Sequence, residues 1–240
     1  IDGALPVIPG AGTDQSNSTT YTIDSTATLR GSPLLLPGGE VNMTLDGGYK
    51  WNRIESEDTR SDADLGLSRR RLGAGLTVNL PVARRGDPLG ALGDIGLTAV
   101  AGVDDLSDFG TLANWSLGVN WSPFENLSLS GTRIWRQVAP SLTNLGSPRI
   151  DELNSTVFDY RTGQTVLATV ITGGNPDLQE ETQSDWKFSA NWELPFWENT
   201  RFNVDYGINR SRDVTSSPGF SSAFEQAFPD RVDRNDAGEL

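Results

Sequence analysis

The chain has 240 residues, a net charge of −13 and 36% hydrophobic residues, enough length for one large domain but a thin supply of core-forming side chains. It contains no Cys and no His, which excludes a disulfide framework, thiolate chemistry, a Ser-His-Asp triad, an imidazole zinc site and a histidine-ligated haem. The acidity argues against nucleic acid as a partner, and no apolar run approaches the roughly 18 residues of a membrane helix.

Period-two alternation organises the sequence. A weak strand is expected over about 21–30, then a strong one over about 40–54. In the latter Val41, Met43, Leu45, Tyr49 and Trp51 alternate with Asn42, Thr44, Asp46, Lys50 and Asn52. The same pattern predicts strands over about 65–80, 95–104, 112–121, 127–136, 184–194 and 201–210. No segment reads convincingly as a helix. Residues 122–126 (SPFEN) and 195–200 (PFWENT) read as tight Pro/Asn turns, with 31–39 and 81–94 as further connections on the same side. The opposite side carries a very long loop over about 137–183, with a hairpin tip expected at Arg161, Thr162, Gly163 and Gln164.

Short turns at one rim and long loops at the other describe an all-β, antiparallel, up-and-down transmembrane barrel segment of about eight strands. A soluble β-sandwich also alternates. Its polar face, however, meets bulk water and is usually rich in Lys and Glu, whereas here that face is Asn, Ser, Thr, Gly and Asp, and the chain has only Lys50 and Lys187. Trp121, Trp192 and Trp197 gather near one set of strand ends and Tyr49 and Trp51 near the other, as interfacial aromatics do.

Residues 114–142 (NWSLGVNWSPFENLSLSGTRIWRQVAPSL) and 173–181 (GGNPDLQEE) carry a resemblance. They resemble the barrel hairpin and the G-N-P-x-L-x-x-E segment of TonB-dependent receptors, and 228–240 (FPDRVDRNDAGEL) is similar to an outer loop of alphaproteobacterial members. The resemblance implies a barrel of about 22 strands, a plug with a TonB box, and active import of a siderophore-metal complex, vitamin or saccharide. It further implies an outer-membrane location in a Gram-negative bacterium. Lipid and lipopolysaccharide, a small extracellular ligand, and TonB acting through the plug would be the partners. The chain begins at Ile1 and 236–240 read as mid-loop, so an internal fragment without the plug is expected. A passive porin-like channel and a structural or adhesive barrel remain alternatives at this point.

Neither motif is catalytic, no catalytic or metal-binding residue is expected, and no cofactor is called for. Arg69, Arg70 and Arg71 form one basic cluster that alternation splits. Arg69 and Arg71 then face the polar interior against surplus carboxylates, and Arg70 faces outward as a lipopolysaccharide contact. Asp104, Asp105 and Asp108 lack calcium-loop spacing and read as a solvated outer loop. Arg133, Trp135 and Arg136, at the mouth of the long loop, are the substrate-binding candidates, because Arg and Trp are common anchors.

Overall fold

A computed structural model of the chain describes residues 15–58, 65–147, 149–197, 200–236, 238 and 240. Eight strands form one antiparallel sheet: β1 (Ser16–Leu36), β2 (Gly39–Asp58), β3 (Leu65–Ala83), β4 (Asp94–Leu106), β5 (Gly110–Phe124), β6 (Leu127–Val138), β9 (Glu181–Glu193) and β10 (Arg201–Arg212). Each pairs with the one before it, so the order is a plain meander, broken only where β6 pairs directly with β9. Between those two, β7 (Ile150–Asp159) and β8 (Gln164–Thr172) make a separate hairpin whose turn contains Arg161, Thr162 and Gly163. The up-and-down barrel wall expected from alternation is the architecture found.

The strands outrun the sequence expectation because polar residues continue the ladder beyond the apolar band. Even the shortest wall strands, 12 residues long, span about 40 Å at some 3.3 Å per residue, more than the ~25 Å of an outer-membrane apolar belt. The connection expected over 31–39 is mostly strand: β1 continues to Leu36 through a bulge between Gly31 and Leu34, which leaves Pro37 and Gly38 as the turn. The bulge absorbs the register change that Pro33 forces by lacking an amide hydrogen. Asp104 and Asp105 likewise belong to β4 rather than to a loop. Two short helices were not foreseen, α1 (Leu142–Gly146) and α2 (Ser222–Ala227); each starts at a serine, Ser141 or Ser221, whose hydroxyl accepts a backbone N–H. Glu198 and Asn199 of the turn expected at 195–200 lie outside the described residues.

The sheet is one layer with almost no core. Among the described residues the buried hydrophobic side chains are Val41, Ala83, Leu106 and Leu112. Across the register one face runs continuously apolar: Leu29 opposes Leu45, Leu45 opposes Leu76, Leu76 opposes Ala101, and Ala101 opposes Trp115. That face is bare, with Leu29 70%, Leu72 64% and Phe202 57% exposed. Soluble monomers rarely expose a continuous apolar surface of this extent.

At the rim of short turns the wall is stitched crosswise. The Trp121 indole N–H donates to the Leu92 carbonyl at 2.8 Å, and Arg85 reaches the Ser122 carbonyl at 2.6 Å while pairing with Asp94. Asn126, in the turn between β5 and β6, exchanges hydrogen bonds with Glu193 of β9.

Candidate functional site

The opposite face of the sheet is polar and holds a band of paired charges toward the long-loop end. Arg71 makes a two-pronged contact to Asp104, its Nε to Oδ1 at 2.8 Å and a terminal nitrogen to Oδ2 at 2.9 Å. One step outward Arg69 forks onto Asp108 at 2.8 and 2.7 Å. Lys50 lies 3.8 Å from Asp24. Glycines create the room: Gly73 and Gly75 oppose Asp104 and Asp46 in register, and both carboxylates lie across the glycine where a Cβ would otherwise stand. The reading of Arg69 and Arg71 as inward arginines matched to carboxylates is what this face contains. Asp104 and Asp108 are committed to those forks, and Asp105 accepts from the Thr111 hydroxyl at 3.1 Å. No group of acidic residues able to hold a metal ion occurs among the described residues.

Above this band the two ends of the long loop close into a neck. Arg69, beyond its fork to Asp108, donates to the Pro140 carbonyl at 3.0 Å, so β3 holds the outgoing strand of the loop. The GGNPD segment then packs under α1: the Gly174 N–H donates to Ser147 O at 2.9 Å and the Asn175 N–H to Asn144 O at 2.7 Å. The Asn175 side chain accepts the Asp177 N–H at 3.0 Å, which turns the chain back toward β9. Gly174 has to be glycine, because an added Cβ would sit 2.5 Å from Ser147 N and 2.6 Å from Gly146 N.

The tip of the β7–β8 hairpin is latched to the C-terminal segment through one arginine. Asp159 is completely buried. Its carboxylate takes both terminal nitrogens of Arg234 (3.0 and 2.8 Å), the Arg161 N–H and the Thr162 hydroxyl. Arg234 also grips Glu225 at 2.7 and 3.0 Å. The Arg234 guanidinium therefore holds both carboxyls below the usual carboxylate range, and the two carboxylates raise the arginine in turn. A run of rings, Phe158, Tyr160, Phe220, Phe224 and Phe228, continues the contact with centroids 5.1–6.4 Å apart.

The residues singled out in the sequence do not share a face. Arg136 lies on the polar face, donating to Gln183 Oε1 at 2.5 Å beside Asn114. Arg133 and Trp135 lie on the apolar face, since alternation puts them in line with Leu129; they and Arg136 therefore point to opposite sides of the wall. Trp135 stacks on Trp115 at 6.5 Å, and the Arg133 guanidinium sits 4.9 Å from the Trp186 ring centre. Arg70 is also on the apolar face, opposite Trp51, with its backbone tied to Ser107. Sequence reasoning missed the latch. The Asp159-Tyr160-Arg161-Thr162-Gly163 turn carried a readable signal for a carboxylate accepting local N–H and O–H groups, but nothing marked Arg234, 75 residues away, as its partner.

Solved structures that share this wall include siderophore receptors. Over 82% of the chain the fold superposes on the siderophore receptor PirA from Pseudomonas aeruginosa, with TM-score 0.55 and 18% identity. PirA from Acinetobacter baumannii aligns over the same share at TM-score 0.56 and 14% identity. A mutant of the ferric enterobactin receptor PfeA from Pseudomonas aeruginosa aligns at TM-score 0.58 and 16% identity. The chain covers only 27–32% of those receptors, between a quarter and a third of their length. No protein-family model matches the chain, and no curated protein matches it in sequence. The fold is that of a stretch of siderophore-receptor barrel wall, and these neighbours are receptors.

Proposed function

We propose that this chain forms part of the barrel wall and outer loops of a TonB-dependent transporter in the outer membrane of a Gram-negative bacterium. The protein would take up a scarce small ligand such as a siderophore-metal complex, a vitamin or a saccharide. The supporting observation is the one-layer sheet with a bare apolar face outside and paired charges inside, on a wall shared with siderophore receptors. The long-loop rim is then the extracellular side. Of the three anchors picked from sequence, Arg136 is in position to meet ligand, on the polar face just below the loop neck. Arg133 and Trp135 belong instead to the membrane girdle, and Arg70, outward beside Trp51, contacts lipopolysaccharide.

The test is uptake by cells carrying the complete gene. Transport of radiolabelled ferric siderophores, vitamins and saccharides is compared in strains with and without TonB, alongside Arg136→Ala. The reading expects one ligand class whose uptake needs TonB and whose affinity falls about ten-fold in Arg136→Ala, the loss of one charged hydrogen bond. TonB-independent passage of many solutes would replace it with a passive channel. Arg70→Ala is expected to weaken lipopolysaccharide retention in purified protein, and unchanged retention removes that contact.

A further inference from the structure

The apolar face carries a second basic feature, away from Arg70. Arg133 of β6 donates to the Ser184 hydroxyl of β9 at 2.5 Å, with its guanidinium 4.9 Å from the centre of the Trp186 ring. Ser184 is paired in register with Arg210 of β10, and Thr182 with Arg212. Three arginines thus share the outward face at the long-loop end of three adjacent strands. The alternate residues that β6, β9 and β10 present on this face include no Asp or Glu. That is unusual for a chain of net charge −13. Among the described residues neither Arg210 nor Arg212 has a carboxylate partner, whereas Arg69 and Arg71 on the inner face each have one.

Below the patch the surface is aromatic. Trp186 and Phe188 stack with centroids 5.8 Å apart, and Tyr206 opposes Phe188 in register. An arginine resting on an indole with its head turned toward the rim is the geometry of a cation reaching out of an apolar layer. Charges spread in this way suit a headgroup with more than one phosphate: Arg210 and Arg212 are about 6.6 Å apart along their strand, and each guanidinium can fork onto a phosphate.

We infer that Arg133, Arg210 and Arg212 bind the phosphates of an outer-leaflet glycolipid carrying at least two of them, with acyl chains lying along Trp186, Phe188 and Tyr206. The inference rests on the proposed outer-membrane setting with the long loops outside.

The protein is expressed from its complete gene, extracted from outer membranes in mild detergent, and its retained lipid quantified by mass spectrometry. Wild type is expected to retain lipopolysaccharide, and the triple variant R133A/R210A/R212A to retain at least ten-fold less, the ratio for losing one charge-assisted hydrogen bond. The triple lysine variant keeps the charge without the fork and should fall between them; it also stands in if the alanine variant fails to assemble, as judged by heat-modifiable migration on gels. Re-addition of intact lipopolysaccharide, of its dephosphorylated form, and of cardiolipin vesicles should restore binding only with the first. Equal retention by wild type and both variants, equal capture of dephosphorylated lipid, or a preference for cardiolipin overturns the inference while leaving the transporter reading intact. Recovery of the protein outside the outer membrane overturns the transporter reading itself.

Discussion

Gly174→Ala is the smallest change that should open the loop neck without touching the wall. The new methyl carbon would lie 2.5 Å from Ser147 N, 2.6 Å from Gly146 N and 2.8 Å from Leu145 C. Ordinary contacts start near 3.5 Å, so one of the two backbones must retreat by about 1 Å. The obstacle is backbone, and no side chain can swing aside. Overpacking of this kind costs about 1–3 kcal/mol. The retreat also strains two hydrogen bonds, Gly174 N–H to Ser147 O and Asn175 N–H to Asn144 O, each with a net value near 1 kcal/mol. A combined loss of about 2–3 kcal/mol raises the open population of the neck roughly 30- to 150-fold. Hydrogen exchange read by mass spectrometry should show this as faster exchange at the amides of residues 174 and 175, with β6 and β9 unchanged. Gly219→Ala, where nothing stands within 4 Å of the added carbon, is the control and should leave exchange alone. Unaltered protection at Asn175 in Gly174→Ala would refute the close-approach argument.

Two further outcomes follow from the two faces and from the latch. Leu76→Arg, on the bare apolar face, should impair assembly into bilayers by about 2–4 kcal/mol if it falls at the midplane. Thr77→Arg, its neighbour on the polar face, should assemble normally in the same refolding assay, and equal yields would mean that the apolar face does not meet lipid. The latch should resist mild acid: Asp159 and Glu225 are both held below the usual carboxylate range by Arg234. Their stabilisation is therefore complete above the ordinary carboxylate pKa of about 4 and is lost only as pH falls below it, through the lowered folded values. Hydrogen exchange at Arg161 and Gly163, corrected for intrinsic rates, should stay slow from neutral pH down to about 4 and then accelerate. Asp159→Asn should be fast throughout, and a transition near neutral pH would contradict the assignment.

The wall was legible because a pleated strand reports its two faces residue by residue, and here one face is apolar from strand to strand. Leu72, Ala74, Leu76 and Val78 needed no knowledge of their partners to be placed together. The parity that split Arg69 and Arg71 from Arg70 worked for the same reason. That parity also bore on Arg133 and Trp135, which belong with Leu129 on the outward face, yet their closeness to Arg136 in sequence grouped them as one candidate site. Strand ends were less legible, since Asp104 and Glu57 look like loop residues until the ladder carrying them is seen. The latch was invisible, because Asp159 and Arg234 meet only through the folding of two loops with no periodicity to register them.

The direct pairing of β6 with β9 has a consequence for how such a wall changes over time. The neck brings the two ends of the β7–β8 excursion together beside an unbroken sheet, so the wall is indifferent to what is strung between them. Lengthening a loop whose ends already meet costs little, about 0.6 kcal/mol per doubling. The neck is therefore a natural splice point, where one loop can be exchanged for another while the sheet beneath keeps its register.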